Sequence, residues 1–184
     1  MQRSYEGLEQ RLTAYVNQPV DRVWSPWPLE ASSIRQFCGM VEDANPAYWD
    51  ETIAAESRFG RLIAPPHALM ALAIDAWWLP AHQQAELDRV KASTAEAKAR
   101  AVLAEYGMTT VTVVEREEEY FAPYGPGDGR IGRERRVTAI SPVKQTKVGP
   151  GVFFTYEIDY FTERSDEPVA RARNVTLIYE GGTR

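Results

Sequence analysis

"GVFFTYEIDYFTERSDEPVARARNVTLIYE", residues 151–180, decides the fold. Its two halves, GVFFTYEIDYFTER and PVARARNVTLIYE, alternate or are rich in Val, Thr, Tyr and Phe. A period of two sends successive side chains to opposite faces of a strand, where β-branched and aromatic residues pack well. RSDEP between the halves is a turn sequence. The same texture extends back to Gly107, through MTTVTVVEREEEYFAPY (108–124) and GRIGRERRVTAISPVKQTKV (129–148), with turns at GPGDG and GPG. The reading is a run of about four long strands in an antiparallel sheet.

Upstream of Gly107 the pattern is helical. Ile34, Phe37, Cys38 and Val41 fall at i, i+3, i+4 and i+7, one apolar face of a helix that Asn45-Pro46 stops. Ser32 or Ser33 can cap it, or it begins at Pro28 to Glu30. DETIAAESRFG (50–60) reads as a short helix with Asp50 as N-cap and Gly60 just past its end. PHALMALAIDAWWLP (66–80) starts and ends at a proline and is apolar nearly all round, so a buried helix is expected. Residues 81–106, rich in Ala, Glu and Lys, read as a more exposed helix, and residues 1–23 as a short helix or strand. Helices first and strands second predict an α+β fold with the sheet wrapped around the buried helix. No repeat or low-complexity linker divides the chain, so residues 1–184 read as a single domain, either a whole subunit or a domain cut from a longer protein.

The composition narrows the function. The net charge of -5 argues against nucleic acid as the main partner, because phosphate binding needs a basic face. No apolar run approaches the 18 or so residues needed to span a membrane, and the N-terminal stretch MQRSYEGLEQRL lacks the apolar core of a signal peptide. The single cysteine, Cys38, forms no intrachain disulfide, which fits a reducing cytoplasm. Two histidines fifteen residues apart, His67 and His82, make a structural zinc site untenable. There is no Walker A, HExxH or nucleophile elbow. EREEE (115–119) on its strand reads as a solvated face.

VEDANPAYWD (41–50), RFGRLIAPPHAL (58–69) and the GPGD turn (125–128), taken in order, carry a resemblance. D-x-N-P-x-aromatic-x-D, a short helix ending R-F-G, then I-A-P-P, a buried helix and strands with P-x-G-D resemble the MaoC-like (R)-specific enoyl-thioester hydratase/dehydratase family. The similarity is to its degenerate N-terminal-half type, covers residues 25–180 roughly, and extends through the last strands. It implies a hot-dog fold. Active members add water to, or remove it from, a trans-2-enoyl thioester of coenzyme A or acyl carrier protein. An Asp and a His five residues apart hold the water and serve as base and acid. A backbone N–H at the start of the central helix polarises the thioester carbonyl.

On this chain the resemblance puts Asp43 at the catalytic Asp position and Asn45-Pro46 at the Asn-Pro. Tyr48 stands where the His belongs, and a phenol with a pKa near 10 is a poor base at neutrality. Pro66 stands where active members place a Gly, and proline has no N–H to offer. His67 follows with its own N–H and imidazole. Arg58 and Arg61 lie beside the loop, and Arg133, Arg135, Arg136, Lys144 and Lys147 flank strands where a rim for CoA phosphates could form. The expected substrate-binding set is Asn45, Arg58, Gly60, Ala64, Pro66, His67 and Trp77, with no metal and no cofactor beyond the CoA or carrier-protein thioester. The two departures predict the pocket-shaping half of a hydratase that pairs with a catalytic hot-dog subunit, as a heterodimer or heterotetramer. Family members of this paired kind act on bulky acyl groups such as steroid side-chain or long-chain fatty acyl thioesters. Two alternatives stand beside it: a self-sufficient hydratase using Asp43 with Tyr48 or His67, and a non-enzymatic acyl-thioester binding or scaffold module.

Overall fold

The computed structural model describes residues 4–74 and 79–181. In chain order the elements are α1 (Leu8–Thr13), β1 (Val23–Trp24), α2 (Ala31–Val41), α3 (Glu51–Glu56), α4 (Leu69–Leu72), α5 (Ala81–Ser93), α6 (Ala95–Glu105), β2 (Met108–Tyr120), β3 (Ile131–Ile140), β4 (Lys144–Thr146), β5 (Gly149–Thr162) and β6 (Ser165–Glu180). Single 3-10 turns sit at Pro46–Tyr48 and Pro66–Ala68.

The hairpin of β5 and β6 is the centre of one antiparallel sheet ordered β1-β3-β5-β6-β2, with β4 paired to β5. Alternation does what the pattern predicts. Val152, Phe154, Tyr156, Ile158 and Tyr160 are buried on the inner face of β5, opposite Ala170, Ala172 and Asn174 of β6. The turn is tighter than RSDEP suggests, since Thr162 already pairs with Ser165. Pro168 instead falls where the register shifts between Tyr160 and Thr162, so its missing N–H costs no regular ladder bond.

Helices lie against the inner face, giving the expected α+β arrangement. Ile34 and Cys38 of α2, Leu69 of α4 and Ala99, Val102 and Leu103 of α6 join the sheet residues in one core. Leu8 and Leu12 of α1 close one end, and Arg11 pairs with Glu105 at 2.8 Å.

Two helical expectations need correction. The stretch 66–80 is not one helix buried all round. A 3-10 turn leads into the four residues of α4, burying Ala68, Leu69 and Ala73 while Met70 and Ile74 stay exposed. Asp75, Ala76, Trp77 and Trp78 lie outside the described residues. Residues 81–106 are two helices, broken at Thr94, whose extended backbone and hydroxyl cap α6 through the N–H of Ala97 at 3.2 Å. No residue of α5 is buried, but α6 buries three on the sheet, because Ala99, Val102 and Leu103 share a face at i, i+3 and i+4.

Candidate functional site

The loop 41–50 is a chain of local caps. Glu42 ends α2 in the left-handed region at φ 57, and the N–H of Asp43 donates back to the Cys38 carbonyl at 2.9 Å. One Asp43 carboxylate oxygen accepts from the N–H of Asn45 at 3.0 Å, an Asx-type turn. Asn45 repeats the device, accepting from Ala47 N–H at 3.1 Å and capping the 3-10 turn that Pro46 starts. Trp49 folds back and its indole Nε1–H donates to the Asp43 carbonyl at 2.7 Å. Asp50 then caps α3, accepting from Thr52 and Ile53. D-x-N-P-x-x-x-D is therefore three successive side-chain caps that hold Asp43 and Tyr48 on one short turn.

The hydroxyl of Tyr48 is half-buried. Burial pushes its pKa up, the Asp43 carboxylate pushes it further, and hydrogen bonding to the Asn45 side chain only partly opposes them. Tyr48 therefore holds its proton at neutral pH. It can donate a proton or orient a water, but it cannot take the base role of a histidine. Cys38, beside it, is fully buried, and burial followed by the Asp43 charge raises its thiol, so it stays a neutral core group. A cavity of about 430 Å³ opens on this loop, lined by Cys38, Gly39, Asp43, Ala44, Pro46 and Trp49.

Pro65 and Pro66 start the 3-10 turn that leads into α4. The buried Tyr124 hydroxyl donates to the Pro65 carbonyl at 2.8 Å and lies 3.1 Å from that of Pro66. Neither proline has an N–H, so the first one this turn offers belongs to His67. The N–H of Ala68 is already spent on the Pro65 carbonyl at 2.9 Å. The His67 ring is exposed and tilts against Phe37 with centroids 5.3 Å apart. Phe37 opens a second hollow of about 340 Å³, whose apolar walls include Trp27, Met40, Leu72 and Ile74.

Other nominated residues take structural places. Arg61 donates to the Pro126 carbonyl at 3.2 Å and to the buried Asp128 carboxylate at 2.6 Å. Asp128 also accepts from Gly125 N–H at 2.9 Å, so the GPGD turn is tied to the chain beside the loop. Gly125 is required there, since a Cβ would stand 2.7 Å from the Leu62 carbonyl oxygen. Ala64 is buried, with its N–H on the Tyr124 carbonyl at 2.8 Å. Arg58 is exposed over the Phe59 ring at 4.6 Å. Gly60 is not the residue after α3, which ends at Glu56; it closes a separate turn at φ 67. Trp77 lies outside the described residues.

The basic residues on the strands are largely spent inside the chain. Arg135 pairs with Glu96 at 3.0 Å, Arg136 lies 3.9 Å from Glu157, and Lys144 sits over Phe153. Among the described residues no group of three or more His, Cys, Asp or Glu converges as for a metal ion, and no helix is long and apolar enough to cross a membrane. Sequence reasoning overlooked Tyr124, Asp128 and Trp49, which position the nominated groups. The G-P-G-D turn was the only local signal for Asp128, and for Tyr124 there was none.

An antiparallel sheet with a helical inner layer, approached by an Asx-turned Asp-x-Asn-Pro loop and a Pro-Pro turn, defines a hot-dog class of dehydratase-like proteins. The profile of the FAS1-like dehydratase domain region matches residues 25–172, and the chain belongs to that family. Among curated proteins it is similar to a probable enoyl-CoA hydratase alpha subunit of Thermomonospora curvata, with 29% identity over 164 residues, 89% of this chain. The chain spans about half the length of that relative, 49% of it. Among solved structures it resembles a chain of the ChsH1-ChsH2 complex from Mycobacterium tuberculosis, with TM-score 0.80, 17% identity and coverage of 98% of this chain and 96% of that one. A MaoC-like dehydratase from Rhodospirillum rubrum superposes with TM-score 0.55 and 23% identity over 90% of this chain and 95% of that one. The HadBC (3R)-hydroxyacyl-ACP dehydratase complex, also from Mycobacterium tuberculosis, does so with TM-score 0.52 and 14% identity over 88% and 99%. These likenesses establish the MaoC-like hot-dog fold.

Proposed function

We propose that this chain is the pocket-forming half of an enoyl-CoA or enoyl-ACP hydratase/dehydratase, and that a second hot-dog chain with an intact Asp/His pair supplies the catalysis. The observation that carries the reading is the pair of chemical losses in a loop that otherwise keeps its caps. Tyr48 holds its proton where a base is needed, and Pro65-Pro66 offers no N–H where a carbonyl oxygen must be polarised. Two of the structural relatives come from complexes, and the curated relative is named as an alpha subunit, which supports a partnered role.

Hydration places a hydroxyl on the β-carbon and a proton on the α-carbon. No electrons change hands, so no redox cofactor is required, and the thioester carrier is the substrate's own. The acyl group in this reading is bulky and apolar, of the steroid side-chain or long-chain fatty acyl kind. The hollow walled by Trp27, Phe37, Met40, Leu72 and Ile74, next to His67, supports that class. The setting is the cytoplasm, in keeping with the lone reduced Cys38.

The test is hydration of a trans-2-enoyl-CoA, followed by loss of the conjugated thioester absorbance. The purified chain alone should bind the thioester without turnover. Turnover by the chain alone that Asp43→Asn abolishes overturns the reading in favour of a self-sufficient enzyme built on Asp43. No turnover and no thioester binding in any pairing would leave a scaffold module.

A further inference from the structure

We infer that the hollow of about 340 Å³ beside His67 takes an acyl group whose remote end carries a neutral oxygen, a ketone or a hydroxyl, and that Ser33 and Gln36 are the residues that select it. The inference rests on the pocket-forming reading above and specifies the acyl group. α2 turns Ser33, Gln36, Phe37 and Met40 towards the hollow, at i, i+3, i+4 and i+7. At about 1.5 Å per residue that face runs about 10 Å. Phe37 joins it to the Pro65-Pro66 turn, because its ring lies 5.3 Å from that of His67. A thioester carbonyl held on the His67 N–H can therefore lay its acyl carbons along Phe37. Trp27, Met40 and Ile74 offer those carbons apolar surface, since all three are more than half exposed in the single chain.

One side of the hollow is polar, and two of its polar groups are uncommitted. Ser25 is spent, since its hydroxyl donates to the Trp27 carbonyl at 3.0 Å and accepts from the Ile131 N–H at 3.1 Å. Ser33 does not serve as the helix cap. α2 begins at Ala31 after Glu30 with no side-chain bond at the cap, and the neighbouring Ser32 reaches the Glu30 carboxylate at 3.2 Å. Among the described residues neither Ser33 nor Gln36 forms a hydrogen bond through its side chain. Both precede Phe37 on α2, and Met40 follows it, so the polar and apolar groups are separated along the helix.

The residue types fix the class of end group. A Gln amide and a Ser hydroxyl each donate and accept, so together they suit a ketone or a hydroxyl. Among the described residues no Asp, Glu, Lys or Arg lines the hollow, so a carboxylate or ammonium end would lie there without a counter-charge. A bare hydrocarbon end would take water from Ser33 and Gln36 and return no hydrogen bond. A site built to bond a substrate oxygen discriminates against the analogue that lacks it.

The experiment measures binding of trans-2-decenoyl-CoA, its 9-oxo derivative and the matching ω-carboxylate to the full chain by calorimetry. The 9-oxo thioester should bind about three- to tenfold more tightly than the hydrocarbon, the worth of a hydrogen bond to a partly wet group, and the carboxylate should bind most weakly. Trp27→Ala should weaken all three, which locates the acyl group in the hollow. Gln36→Leu/Ser33→Ala should abolish or reverse the preference for the ketone, because leucine adds apolar surface and the bonds are gone. Gln36 is exposed on α2, so Gln36→Leu alone, which should lose most of the preference, decides if the double variant does not fold. Equal binding of ketone and hydrocarbon, tightest binding of the carboxylate, a preference that survives the substitutions, or indifference to Trp27→Ala overturns the inference. Those outcomes leave the pocket-forming reading standing, whereas failure to bind any of the three thioesters overturns that reading and the inference together.

Discussion

The hydroxyl of Tyr124, on the strand side of the molecule, donates to the Pro65 carbonyl at 2.8 Å and stands 3.1 Å from the Pro66 carbonyl. One buried phenol thus ties the strand-side chain to the turn that leads into α4. Each carbonyl also accepts a backbone N–H of the 3-10 turn, Pro65 from Ala68 and Pro66 from Leu69.

Tyr124→Phe removes this tie while keeping the ring in the core. It should lower stability by about 0.5–1.5 kcal/mol, the net worth of one hydrogen bond, since the Pro65 and Pro66 carbonyls keep the N–H groups of Ala68 and Leu69. Urea unfolding should show a lower midpoint with an unchanged slope. No change in midpoint would mean that the Pro65-Pro66 turn holds itself.

Asp128 and Arg61 form the second tie between the GPGD turn and the loop region. Asp128 is 5% exposed and serves Arg61 and the Gly125 N–H together. Asp128→Ala should cost about 3 kcal/mol, because it strands a partly buried guanidinium and a backbone donor. Arg61→Ala leaves the carboxylate its other partners, including Arg164 at 3.6 Å, and should cost less. A double-mutant cycle should return a coupling of about 1–3 kcal/mol, and strict additivity would refute the tie.

Tyr156 gives a pH signature. Its hydroxyl is buried with no hydrogen-bond partner in good geometry, although Arg100 and Arg135 are near enough to attract a phenolate. Burial dominates, helped by Glu96, and the pKa is pushed up to about 12. The unfolded chain titrates near 10, so this contribution to stability is whole below about pH 10 and is lost as pH rises towards about 12. Over that window wild type should lose roughly 2–3 kcal/mol from this group. Tyr156→Phe should be neutral to slightly stabilising at pH 7, since it removes an orphan hydroxyl. It should also flatten the alkaline decline, and identical alkaline denaturation of the two proteins would refute the burial argument.

Tyr48→His places an imidazole five residues from Asp43. By itself it should leave the chain inactive towards a trans-2-enoyl-CoA, because the Pro65-Pro66 turn still lacks a donor. Adding Pro66→Gly should produce the first measurable hydration. Activity in the single variant equal to that of the double would show that His67 already supplies the oxyanion contact.

The strands were legible because their signal is local: Phe154, Tyr156 and Ile158 alternate with Thr155, Glu157 and Asp159 whatever lies above them. The cap at Asp50 was legible for the same reason, acting within three residues, whereas Asn45 read only as a helix stop and caps the 3-10 turn that follows it. The helices were less so. Residues 66–80 read as buried all round from apolarity alone, but Met70 and Ile74 stay exposed in the single chain. Residues 81–106 read as an exposed helix, and α6 buries Ala99, Val102 and Leu103 because the inner face of the sheet, far away in sequence, is there to receive them.

The sequence by itself determined the α+β class, the antiparallel strands and the short loop that carries Asp43, Asn45-Pro46, Tyr48 and Asp50. These depend on residue type and short spacing. Only the tertiary structure decided what Arg61, Arg135 and Arg136 hold, and that Tyr124 reaches the Pro65-Pro66 turn. Ion pairs, buried hydroxyls and sheet edges join residues tens of positions apart, and their partners are set by strand order and register, which no local pattern contains.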